Sequence, residues 1–164
     1  MKQSSKIVGL VIGVPILIFL AIQLLPVWLL QNNPPVVAEP AWDSPETRAL
    51  AERACFDCHS NATKWPWFTR IAPASWLATF DTVRGRRELN FSEWGVARSG
   101  GEAEEGTDDY DNYSRGEREG GDEMSEVILS GEMPPAIYLA MHPEAQLTDA
   151  EKQQLIDGLA ASLK

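Results

Sequence analysis

The chain has 164 residues, 44% of them apolar and 23% charged, with a formal charge of −10, which suits one modest globular domain with an appendage and argues against a disordered chain. Lys2 and Lys6 are the sole charges before Glu39, so the remainder carries 12 basic against 24 acidic residues. So acidic a domain argues against nucleic acid as a partner, which needs a basic footprint, and two cysteines are too few for a disulfide framework.

Residues 1–6 form a short basic tip, followed by an uncharged run from Ile7 to Leu30. As one helix that run would span about 36 Å, against a hydrocarbon core of about 30 Å. A cleaved secretory signal has an apolar region of about 7–15 residues, so residues 7–30 read as a retained transmembrane anchor. Val36-Val37-Ala38 offers a cleavage site as the alternative. With the two lysines on the cytoplasmic side, the rest of the chain is expected on the periplasmic face of a bacterial inner membrane. Residues 31–41, rich in proline, read as a stiff spacer reaching about 30 Å when extended.

A domain is expected over 42–164. Ser44 is a candidate N-cap with Pro45 at the first helical position, and that helix should run into Cys55. Trp65-Pro66-Trp67-Phe68 and Pro73 favour irregular backbone. A short helix is expected from Trp76 to Val83, ended by Arg84-Gly85-Arg86-Arg87. Residues 100–126 hold 11 acids against Arg115 and Arg118, with few apolar side chains to offset the entropy of ordering, so they read as a flexible acidic insertion. Thr148 with Glu151 forms a capping box, and Leu155, Ile156, Leu159 and Leu163 repeat at helical spacing. No alternating run is long enough for a strand, so the expected class is all-α with long loops.

Cys55-Phe56-Asp57-Cys58-His59 has the C-x-x-C-H form of a c-type haem attachment sequence. Two thiols at this spacing can add across the two vinyl groups of a porphyrin, and the next residue, His59, then lies under the iron as proximal ligand. A thioredoxin-like centre would want a βαβ context, and a zinc site would need two more ligands where His142 is the one remaining His or Cys. Methionine or histidine is the usual second axial ligand. Met133, in Gly131-Glu132-Met133-Pro134-Pro135, is the best placed, and His142 is the rival. Arg84, Arg86, Arg87 and the Trp94 indole N–H are candidate partners for the haem propionates. The turn from Ile71 to Pro73 is the candidate carbonyl source for His59, and Trp65, Trp67, Phe68, Trp76 and Phe91 are candidate walls of the haem site.

These segments, with Cys-Phe-Asp-Cys-His-Ser-Asn-Ala-Thr-Lys-Trp-Pro-Trp-Phe, Ile-Ala-Pro-Ala-Ser-Trp-Leu, Gly-Glu-Met-Pro-Pro and Met-His-Pro-Glu-Ala-Gln-Leu-Thr among them, resemble a bacterial haem-binding domain family. Its members are small, often membrane-anchored, single-haem cytochromes. The resemblance runs from about Trp42 to the C-terminus and departs from the family pattern at the acidic insertion after Trp94. It implies Cys55, Cys58 and His59 as the haem site and draws attention to Met133 and His142-Pro143. The expected function is one-electron transfer by a single covalent haem c with its iron, in a cytochrome c-like domain, to redox partners that are basic at the contact. A peroxidase-like haem enzyme or ligand sensor with an open sixth position, and a haem subunit of a larger respiratory complex, are the alternatives.

Overall fold

The computed structural model describes residues 2–95 and 119–162. Within them lie α1 (Lys2–Ile22), α2 (Pro45–Ala54), α3 (Phe56–His59), α4 (Ala74–Glu88), α5 (Glu119–Ser130), α6 (Ala136–Met141) and α7 (Asp149–Ser162), with 3-10 turns at Val27–Leu30, Trp67–Arg70 and Pro143–Ala145. An isolated bridge joins Ala38 to Glu93, and no strand occurs among the described residues. The fold is all-α, as the sequence predicts.

The apolar N-terminal run is not one helix. It stays helical through Pro15, ends at Ile22, and continues as a turn and a 3-10 segment. Pro26 accounts for the break, because it lacks an N–H and pushes its predecessor out of the helical region. The run remains long and apolar enough to cross a membrane, with a mean hydropathy of 2.6 over Gly9–Leu30.

The proline-rich stretch does not stand off as a spacer. Gln31 donates to the Thr69 carbonyl and Asn33 to the Thr63 carbonyl, while Asn61 donates to the Pro35 carbonyl. Farther on, the Val37 and Ala38 N–H groups both donate to the Ser92 carbonyl, and the Trp94 N–H donates to that of Ala38. Prolines remove N–H donors, but the polar side chains between them supply replacements, so this segment is laid along the domain.

The core joins α2, α5 and α7. Leu50, Ala51 and Ala54 pack with Ile128, Leu155 and Leu159, and Phe56 and Phe91 complete the cluster with Trp42 against its edge. The Phe56 and Phe91 rings are 5.6 Å apart, and Trp42 lies 5.3 Å from Phe91. Ser44 caps α2 by accepting from the Thr47 N–H at 3.1 Å. The α2–α7 contact is tight because residue 158 is glycine: a Cβ there would fall 2.1 Å from the Thr47 hydroxyl.

Two expectations about element boundaries are corrected. Arg84-Gly85-Arg86-Arg87 does not end a helix, since α4 runs on to Glu88, and Gly85 earns its place there by a close packing contact described below. The acidic insertion does not extend to Glu126. Residues 96–118 lie outside the described residues, but α5 starts at Glu119, and Met124 packs against the core beside Ile128. Met124, Val127 and Ile128 give this end of the insertion the apolar face that the preceding acidic stretch lacks.

At the start of α7 the capping box is complete. The Thr148 N–H donates to Glu151 Oε2 at 2.8 Å, and the Glu151 N–H donates to the Thr148 hydroxyl at 3.3 Å. The same carboxylate pairs with Arg53 of α2. The Thr148 N–H, then Arg53, hold the Glu151 pKa down at about 2. The carboxylate therefore stabilises the fold above its ordinary titration range, and this is lost as pH falls from about 4.5 towards 2. Glu151→Gln should lower the melting temperature at pH 7, and the gap from wild type should narrow over that acid window in a thermal melt. Gly158→Ala should cost about 1–3 kcal/mol by overpacking against Thr47, outweighing the helix-propensity gain of about 1 kcal/mol, as chemical denaturation would read.

Candidate functional site

Cys55, Cys58 and His59 are brought together by a single helical turn. Cys55 closes α2, and its carbonyl accepts from the Cys58 N–H at 3.1 Å and the His59 N–H at 2.8 Å. Cys55 also packs against the core cluster. Both cysteines are free thiols. Burial, and then the neighbouring Cys58, push the Cys55 thiol up to about 12. Burial, then the Asp81 and Asp57 carboxylates, push Cys58 up to about 11. Both thiols are therefore neutral at pH 7, and neither has the depressed pKa of a reactive redox cysteine.

His59 is held through one ring nitrogen. Its Nδ1–H donates to the Gly85 carbonyl at 3.0 Å, with the Leu89 carbonyl at 3.2 Å. These acceptors correct the expectation that the Ile71–Pro73 turn would supply them. Burial holds the pKa below its ordinary value, although the two carbonyls act in the opposite direction. The result is a neutral imidazole with Nδ1 protonated and Nε2 carrying a lone pair. A metal-ligating histidine needs this tautomer and this kind of outer support.

Gly85 has a second role. A Cβ at this position would lie 2.6 Å from the Cys58 carbonyl oxygen and 3.1 Å from its Cβ, so only a glycine lets α4 lie directly on the motif. On the other side, Tyr138 of α6 donates to Asp57 Oδ2 at 2.7 Å. The other Asp57 oxygen accepts from the Lys64 N–H at 2.9 Å. Asp57, the second spacer residue of the motif, therefore ties α6 to α3. Nothing in the local pattern singles out Gly85, Leu89, Asp57 or Tyr138, because their roles depend on partners 26 to 81 residues away.

The remaining candidates fare unequally. Arg86 uses every N–H of its guanidinium: Nε donates to the Ser60 carbonyl, one terminal nitrogen to the Asn32 carbonyl and side chain, and the other to Asn33 Oδ1 and Thr63 Oγ1. It is a structural clasp with no donor left for a propionate, which corrects the expectation. Arg84 is exposed and paired with Glu88, and Arg87 is exposed. The Trp94 ring stacks on Phe91 at 6.4 Å. Met133 sits in the turn between α5 and α6, its N–H donating to the Val127 carbonyl, and is 40% exposed. His142 stacks on Tyr138 at 4.2 Å, with Nδ1 3.2 Å from the Tyr138 carbonyl. Of the expected walls, Phe91 is in the core, Trp65 donates to Asn33, and Trp67 is exposed. Met141 is exposed.

The donor set suits a haem better than a bare ion. Among the described residues no cluster of three or more His, Cys, Asp or Glu could hold a metal, so one imidazole beside two thiols needs a ligand that brings its own equatorial donors. The elements flanking the motif leave large apolar groups in water: Phe80 and Val83 on α4, and Leu129, Met133, Ile137 and Met141 around α5 and α6. Apolar side chains exposed on these elements offer surface that an apolar ligand could cover.

Comparison with known proteins agrees. A family model described as a haem-binding domain matches residues 17–161. No curated protein and no solved structure matches the chain. The match begins inside α1, earlier than the resemblance suggested, which accords with the way residues 31–38 are bonded to the domain.

Gly85→Ala should force α4 away from Cys58, costing about 1–3 kcal/mol of stability and loosening the His59 hydrogen bonds. A denaturant titration and the haem content of purified protein, both lower than wild type, would register it. Unchanged values would show that α4 can shift without cost.

Proposed function

The chain belongs to the haem-binding domain family, and on that premise we propose that it is a membrane-anchored c-type cytochrome. It carries one haem joined by thioethers to Cys55 and Cys58 and transfers single electrons on the periplasmic face of a bacterial inner membrane. The observation that carries this reading is the His59 ring, fixed through Nδ1 on two carbonyls directly after the two-cysteine motif, with Nε2 left to ligate. Haem iron supplies a one-electron ferrous–ferric couple.

The protein's own groups hold and insulate that site. Gly85 and Leu89 fix the imidazole plane and strengthen its basicity. Tyr138 and Asp57 hold α6 against the motif, and the Met133 turn leads directly into α6. Met133 is the proposed distal ligand: its thioether is presented from a turn and is not packed into the core. His142 is the alternative, and its ring is engaged by Tyr138. Trp76 is the proposed propionate donor in place of Arg86. Its indole N–H is buried without a partner, a costly condition unless an acceptor from outside the polypeptide meets it.

The surplus of acidic residues downstream of the anchor fits basic redox partners, whose electron exchange should slow as salt rises. The protein is proposed as an electron carrier on the strength of its haem site.

Absorption spectroscopy of the protein made with a cytochrome c maturation system tests this. The denatured chain should retain its haem, and Cys58→Ala should weaken that retention. The oxidised protein should be low-spin with a weak far-red sulfur-to-iron band. Met133→Ala should abolish the band and lower the potential, and His142→Ala should leave both unchanged. The reverse pattern would move the ligand to His142. A wild-type protein that is high-spin and binds carbon monoxide readily would favour an enzyme or sensor over a carrier.

A further inference from the structure

The end of α1 is fastened to the haem domain. The Gln23 amide donates to the Ala72 carbonyl at 3.1 Å and accepts from the Ala72 N–H at 3.0 Å. It also donates to the Phe19 carbonyl one turn earlier. Beside this latch lies an open cleft of about 470 Å³ bounded by Phe19 of α1 and by Trp67, Phe68, Ile71, Pro73 and Leu77 of the domain. Every residue lining it is apolar, and Trp67 is 75% exposed.

Depth decides what meets this cleft. From Lys2 to Ile22, α1 rises about 31 Å at 1.5 Å per residue, against a hydrocarbon core of about 30 Å. With Lys2 at the inner boundary, the outer boundary falls near Ile22. With Lys6 there, it falls about four residues later. Phe19 is inside the hydrocarbon in both registers, by about 5–10 Å on the same rise. Residues that share a cleft with Phe19 cannot then stand clear of the leaflet.

We infer that Trp67, Phe68, Ile71 and Leu77 are immersed in the outer lipid leaflet, facing the acyl region, with lipid chains filling the cleft against Phe19. The chemistry at this face suits that depth. Tryptophan is favoured at the membrane–water boundary, where its apolar ring and N–H are both accommodated. Arg70, exposed within the same segment, has a long stem that can carry its charge outward to the headgroups. The Gln23 amide, which would be costly in lipid if left unpaired, is satisfied by the domain itself. The haem domain is therefore seated on the bilayer at a fixed height, not suspended above it.

This rests on the reading of α1 as a membrane span, and the test separates the two. Spin labels on the full-length haem-loaded protein in phosphatidylcholine vesicles would be placed by Leu17→Cys, Trp67→Cys, Ile71→Cys and Gln153→Cys. Gln153 is exposed on α7. Retention of the wild-type haem spectrum certifies each fold, and the two cleft positions guard against one failing to fold. Collision with oxygen against collision with a water-soluble nickel complex reports depth. The expected result is an oxygen-dominated signal at 17, 67 and 71, reversed at 153. A lipid-exposed label at 17 with water-exposed labels at 67 and 71 overturns this inference alone. A water-exposed label at 17 overturns the span and this inference together.

Discussion

The candidate haem site depends on one close approach, that of α4 to the turn holding Cys58 and His59. Because residue 85 has no side chain, the α4 backbone comes near enough for its carbonyl to take the His59 Nδ1–H, and Leu89, one turn on, adds a second acceptor. Any side chain at 85 would separate the elements and leave a buried imidazole with an unpaired N–H, a loss of about 1–3 kcal/mol. The orientation of the ring, its tautomer and its neutrality all follow from that contact.

The surroundings are tuned by desolvation more than by charge. Although the chain is strongly acidic, the two thiols and the imidazole are displaced chiefly by burial, each towards its uncharged form. Neutral groups are the cheaper ones to bury. In the same neighbourhood the half-buried Arg86 cation is tolerated because five acceptors surround it.

What could be read from the sequence was local. The Ser44 and Thr148 caps and the apolar face of α7 each depend on residues within one or two turns, and each appears as expected, with Leu163 of that face outside the described residues. Long-range pairing was not readable. Arg84-Gly85-Arg86-Arg87 looks like a helix terminator because glycine lowers helix propensity, while the reason for Gly85 is a contact with Cys58 far back in the chain. Gln31 to Pro40 looks like a free spacer because prolines cannot donate, yet Gln31, Asn32 and Asn33 find their partners around Thr63, Thr69 and Arg86. Trp67 and Phe91 have the same aromatic character in sequence, and only the fold puts one at the surface and the other in the core.

If α1 is a membrane anchor, as proposed, the bonding of residues 31–38 also bears on how the domain could be released from it. A protease cutting just before Trp42 would separate the capped α2 from everything upstream, and α2–α7 would keep their own packing. It would also take away the Asn32 and Asn33 acceptors of Arg86 and the Ala38 partner of Trp94. The half-buried guanidinium beside Ser60 and Thr63 would then lose three of its five acceptors. A released domain that keeps these contacts intact therefore has to be cut between α1 and Gln31.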